Sequence, residues 1–168
     1  DDEIATAIEQ KVMPGAVVLI ARKGSIVKHG AYGYAVKYED DQFTEMDHPL
    51  PMKKDTIFDL ASISKLFTTT AAMKLYEQGK FELDDPVAKY IPEFAKNGKS
   101  NVTIRQLMTH TSGFRAWIPL YQMGESREDR IRIVLEYPLD NEPGTTYTYS
   151  DLNLITLGEL IERLSGKR

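Results

Sequence analysis

The sequence contains no cysteine in its 168 residues. Disulfides, thiolate nucleophiles, zinc–cysteine sites and iron–sulfur clusters are therefore excluded together. There is no excess of positive charge. Lys and Arg number 21 against 25 Asp and Glu, a net charge of −4, and the pI is near 5.4. Phosphate binding needs a basic footprint, so this balance disfavours nucleic acid as the main partner. The longest apolar run, residues 15–21, falls far short of the roughly 20 residues that span a bilayer. No repeat, no low-complexity stretch, no H-E-x-x-H and no G-x-S-x-G is present. The chain opens Asp1-Asp2-Glu3 without Met or a targeting segment, as a processed or trimmed start would. What is present is ordinary globular make-up, 42% hydrophobic and 27% charged. At this length about 68–70% of the unfolded surface can be buried, in one domain or one and a fraction.

Periodicity orders the elements as helix, hairpin, then a helical region. Ile4, Ala5, Ile8 and Val12 sit at helical spacing, stopped by Pro14-Gly15. Residues 16–21 are short and β-branched and read as a buried strand. Lys23-Gly24 makes a two-residue turn, and residues 25–35 return as a second strand. Gly30 and Gly33 mark a bulge or a close backbone approach. Residues 36–56, acidic and Pro-containing, read as a surface excursion. Residues 62–78 then form a helix stopped by Gly79. Asp85-Pro86 opens a short helix through Tyr90, and Thr103 with Gln106 boxes another through about His110. Ser126 with Asp129 opens a helix that ends at Tyr137, before Pro138. After the turn at residues 142–144 and an extended stretch at 145–149, a final helix carries an apolar stripe of Leu152, Ile155, Leu160, Ile161 and Leu164. It closes at Gly166. A hairpin alone is marginal, so the expectation is a sheet left unfinished by residue 168.

For chemistry, His29, His48 and His110 lie in unrelated contexts and read as structural or solvated. A serine three residues ahead of a lysine occurs twice. Ser25 and Lys28 lie on a strand, where residues three apart face opposite sides, so that copy is a decoy. Ser62 and Lys65 lie at a helix start, where i and i+3 share a face; Ser64 is rotated away. A serine needs a base to become a nucleophile. Burial and the positive end of the helix dipole would push Lys65 toward neutrality, and the Ser62 N–H at the helix end would face an oxyanion. The bland alternative makes Ser62 a cap and Lys65 a surface lysine. A second cluster, residues 143–151, places Tyr149 and Asp151 at another helix start. A phenol beside an ammonium can shuttle a proton, and Asp151 could orient Lys65. The alternative there is that Ser150 or Asp151 only caps the helix while Tyr147 and Tyr149 fill core.

Residues 58–65, Phe-Asp-Leu-Ala-Ser-Ile-Ser-Lys, resemble the active-serine segment of the serine β-lactamase and penicillin-binding-protein superfamily. Within it the chain looks most like the class C β-lactamase-related branch of D,D-peptidases and esterases. Four further segments agree in order: 15–18 with 30–35, 79–87 with 90–92, 107–114, and 143–151. The resemblance implies an α+β, β-lactamase/transpeptidase-like fold. Its N-terminal helix and hairpin, residues 1–60, would belong to the sheet domain, and residues 61–168 to the helical domain. It further implies Ser62 as acylated nucleophile, Lys65 as its activating partner and Tyr149 as proton donor to the leaving group, with no metal and no cofactor. His110 and Gly113 look structural.

Two departures from the family pattern bear on function. Asp151 stands where Y-x-N has Asn, which would raise the Lys65 pKa and removes an amide donor for a β-lactam side chain. The family's K-T-G or H-x-G strand is absent. The expectation is therefore the N-terminal part of a longer serine acyl-hydrolase, poorly active alone and completed by a C-terminal remainder of the same protein. Its substrate would be a D-amino-acid peptide of peptidoglycan type, a β-lactam or a small ester, in the cell envelope, periplasmic or extracellular. The alternative is a non-catalytic penicillin-binding sensor or cell-wall-binding module of the same fold.

Overall fold

A computed structural model describes residues 1–167. They form two compact units that divide after Asp59.

The first unit is one helix on a small sheet. Helix α1 (Asp2–Glu9) carries Asp2 and Glu3 in its first turn, where negative charge suits the dipole, and it packs on β1 (Gly15–Arg22) and β2 (Ser25–Tyr38). Lys23 and Gly24 both have positive φ, 50° and 80°, as a type I′ hairpin turn requires. Gly33 lies opposite Gly15, with φ +65°, and a Cβ on it would come within 2.5 Å of the Pro14 carbonyl. Gly15 and Gly33 therefore mark a close backbone approach, and the register shifts fall at Ile20/Ala21 between β1 and β2 and at residues 34–38 along β2. Lys28 pairs with Asp1, away from Ser25.

Residues 36–56 do not form a surface excursion throughout. Residues 36–38 continue β2, and β3 (Glu45–Pro51) pairs antiparallel with it, giving the order β1-β2-β3. Pro49 and Pro51 obscured this strand, but β3 is an edge, where a missing N–H costs no ladder bond. No residue of this unit is fully buried.

The second unit holds the core. Its first element is a 3-10 turn, Ala61–Ile63, running into α2 (Ser64–Glu77). Gly79, at φ +68°, closes that helix, with bonds from Gly79 N–H to the Tyr76 carbonyl and Lys80 N–H to the Leu75 carbonyl. The short helix expected after Asp85-Pro86 is a single 3-10 turn, Val87–Lys89, preceded by an extended Pro86. Asp85 does not cap it. Its carboxylate accepts from Tyr90, Glu82 N–H and Lys89, which pull its pKa down to about 2. A further 3-10 turn, Pro92–Ala95, and the short α4 (Leu120–Met123) carry no periodicity long enough to announce them.

Both capping boxes form, Thr103 with Gln106 at α3 (Ile104–Met108) and Ser126 with Asp129 at α5 (Arg127–Glu136). Helix α3 stops two residues short of the expected His110. The last helix, α6 (Asp151–Ser165), is capped by the Ser150 hydroxyl and ended by left-handed Gly166. It packs against α2, α3 and α5 and buries more than the expected stripe: Asn153, Leu154, Thr156 and Leu157 join Leu152 and Leu160 inside. Every buried hydrophobic residue lies between Ala72 and Leu160. Among the described residues no helix is long and apolar enough to cross a membrane, and no cluster of His, Asp and Glu could hold a metal.

Candidate active site

The four residues singled out by spacing meet at the paired starts of α2 and α6. Ser62 sits in the 3-10 turn just after Ala61, whose φ of +43° is rarely adopted by a residue with a side chain. Three residues on, Lys65 lies in the first turn of α2, and its ammonium donates to the Ser62 hydroxyl at 3.0 Å. From the other helix, Asp151 accepts an ion pair from Lys65 at 2.7 Å. The Lys65 nitrogen also stands 4.7 Å from the centre of the Tyr149 ring. An open groove lined by Ala61, Ser64, Thr68, Leu154 and Ile155 borders Lys65 and Asp151.

The charges are set by this grouping. Burial acts to lower the Lys65 pKa, but hydrogen bonds and charge from Asp151 and Tyr149 outweigh it and the net shift is upward. The neutral lysine that burial and the helix dipole would favour is therefore not what the site holds; the Asp151 carboxylate reverses the direction. Tyr149 moves the opposite way. Hydrogen bonding with Ser62 acts most strongly, Lys65 adds a hydrogen bond and positive charge, and the Tyr149 pKa falls below the ordinary phenol value. Lys65 donates to the serine oxygen, and Ser62 and Lys65 both hydrogen-bond the phenol. The arrangement is a hydroxyl, a phenol prone to deprotonate, and a fixed cation beside both.

Sequence reasoning passed over a buried polar network that supports this cluster. His110 packs at a tilt against Tyr149, with ring centres 4.7 Å apart, and accepts the Ser150 N–H on Nδ1 at 3.1 Å. Asn153 and Ser112, both fully buried, continue it: Ser112 Oγ donates to Asn153 Oδ1 at 2.5 Å. A polar residue among Leu152, Leu154 and Leu157 on an inward helix face was the available signal for Asn153. Gly113, at φ +94°, lets the chain pass so close to residue 141 that a Cβ would lie 2.1 Å from the Asn141 carbonyl oxygen.

Comparison with known proteins places the chain in a family and a fold. The Beta-lactamase family profile matches residues 1–168. An N-acetylmuramyl-L-alanine amidase of Bacillus subtilis is 33% identical over 92% of the chain and 38% of its own length. Among solved structures, EstCE1, a hydrolase with promiscuous acyltransferase activity, superposes with a TM-score of 0.79 at 32% identity, covering 98% of this chain and 45% of its own. A class C beta-lactamase superposes at 0.81 and 25% identity, covering 99% and 43%. The chain belongs to the Beta-lactamase family and has the β-lactamase/transpeptidase-like fold, with class C enzymes among its structural neighbours. It spans 38% of the length of the curated relatives it matches.

Proposed function

We propose that the protein is a serine acyl-hydrolase working through a covalent acyl-enzyme. Tyr149 takes the Ser62 proton as Oγ attacks the substrate carbonyl, and the Lys65 ammonium stabilises the phenolate. The tetrahedral oxyanion is met by the Ser62 N–H as one of its donors. Collapse breaks the bond to the leaving group, which departs with the proton held by Tyr149. Water, deprotonated by the same phenolate, attacks the acyl-serine; the acyl–Oγ bond breaks, the proton on Tyr149 returns to Ser62, and the free acid leaves.

The observation that carries this reading is the contact of Lys65 with Ser62 at 3.0 Å beside a phenol whose pKa is lowered by both. The substrate class is a D-amino-acid peptide of peptidoglycan type, a β-lactam or a small ester. The amidase name of the Bacillus relative and the hydrolase title of EstCE1 support that range, and a cell-envelope site of action goes with the first two. Asp151 favours peptide or ester over β-lactam, because a carboxylate bound to Lys65 offers no amide donor to an acylamido side chain.

The test is mass spectrometry of the intact gene product after an activated ester and, separately, a penicillin. A Ser62 adduct that forms and decays with product release, and is absent in Ser62→Ala, is the expected result. The Lys65–Asp151 pair also fits a second reading, a penicillin-binding sensor, in which the ammonium is tied up and deacylation stalls; a lasting adduct would select it. No adduct from either reagent would end both readings.

A further inference from the structure

We infer that His110 is a positioning residue for Tyr149, holding the peptide on both sides of the phenol through an imidazole that must stay neutral; the inference rests on the acyl-hydrolase reading above. His110 follows α3 in the left-handed region, φ 58°. Its carbonyl accepts the Thr148 N–H at 2.9 Å. Its Nδ1 accepts the Ser150 N–H at 3.1 Å. Tyr149 is the residue between, and its ring lies against the imidazole. One side chain and one carbonyl thus fix the residues before and after Tyr149 as well as the ring itself. Tyr149 is half-exposed, and Ser62 and Lys65 hold its hydroxyl end.

The direction of every hydrogen bond in the adjoining network fixes the tautomer. Ser112 Oγ accepts from the Phe114 N–H and donates to Asn153 Oδ1. The Asn153 amide group therefore turns its NH₂ toward His110, 3.2 Å from Nδ1. Two donors, Asn153 and the Ser150 N–H, converge on that one nitrogen. Nδ1 must offer a lone pair, and the imidazole hydrogen sits on Nε2. A proton on Nδ1 would face both donors and break the hold on Ser150.

The charged and titratable groups facing the ring are Lys65, Asp151, Tyr149 and Tyr147. Burial and the Lys65 charge disfavour the imidazolium and Asp151 favours it; the net pKa lies below the usual histidine value. The hold on Tyr149 is intact at neutral pH and is released in acid.

The experiment is the pH dependence of ester turnover by the intact gene product, wild type against His110→Ala, His110→Asn and Tyr149→Phe. Asparagine tolerates the left-handed backbone, presents an acceptor near Nδ1 and does not titrate. Misplacement of a reacting group by about 1 Å can cost ~100-fold. His110→Ala should therefore lose roughly 10–100-fold in kcat, with KM within about threefold. His110→Asn should recover most of the loss and abolish the acid limb seen in wild type. Undiminished kcat in His110→Ala, or an acid limb retained in His110→Asn, overturns the inference.

Should His110→Ala not fold, the His110→Asn profile decides, together with the ¹⁵N shifts of wild-type His110. An Nδ1–H tautomer would also overturn it. If Tyr149→Phe turns over at the wild-type rate, the acyl-hydrolase role of Tyr149 fails instead. If Tyr149→Phe is impaired while His110→Ala is not, only the present inference fails.

Discussion

Lys99 is fully buried, donates to the Tyr137 carbonyl at 2.5 Å and lies over the rings of Phe94 and Phe114. Burial lowers its pKa from 10.5 to about 8, opposed weakly by Glu136. The unfolded chain holds this proton up to about 10.5 and the folded protein only to about 8, so between those values the unfolded state binds more protons. Stability from this group is thus fully present above 10.5 and is lost as pH falls toward 8. The full displacement would amount to about 3 kcal/mol at ~1.4 kcal/mol per pH unit. The two ring faces and the carbonyl favour the charged form by roughly 0.5–1 kcal/mol each, which leaves a span of about 0.5–2 kcal/mol.

Lys99→Met removes the titration while keeping an unbranched chain against the two rings. Urea unfolding of both proteins at pH 7.5, 9 and 10.5, followed by near-UV circular dichroism, isolates the term as a difference, since other lysines and tyrosines titrate in both. Wild type should gain on Lys99→Met by that span as pH rises. Parallel loss of stability in the two proteins across this range would refute the reasoning.

Asp151→Asn removes the charge that raises Lys65, so the alkaline limb of ester turnover should move to lower pH, and acylation by a penicillin should quicken as an amide donor appears. An unmoved limb in the pH–rate profile would count against the Lys65–Asp151 pairing in solution. Gly113→Ala forces a Cβ within 2.1 Å of the Asn141 carbonyl in a left-handed backbone. Thermal unfolding should show a loss of more than about 2 kcal/mol, and a variant as stable as wild type would mean that this crossing relaxes freely.

Local rules made much of the second unit legible. Thr103/Gln106 and Ser126/Asp129 are capping boxes wherever they stand at a helix start, because the reciprocal bonds lie within four residues. Gly79 and Gly166 end helices for an equally local reason, their positive φ. The pairing of Ser62 with Lys65 needs only one helical turn, and the same logic set Ser25 and Lys28 apart on a strand. Strand β3 was hidden because proline counts against a strand unless that strand is an edge, and edge position depends on what pairs with what.

The sequence by itself determined which side chains could act: a hydroxyl and an amine one turn apart, a phenol and a carboxylate two residues apart, and no thiol. Their protonation was decided only by the tertiary structure. Residues 62 and 65 lie more than eighty positions from 149 and 151, and until α2 and α6 pack together the Asp151 charge cannot outweigh burial at Lys65. The same holds for His110. Its tautomer follows from the Ser150 N–H and Asn153, which reach it only once the chain has folded back on itself, because hydrogen-bond direction in a buried network belongs to the whole set of partners and to no single residue.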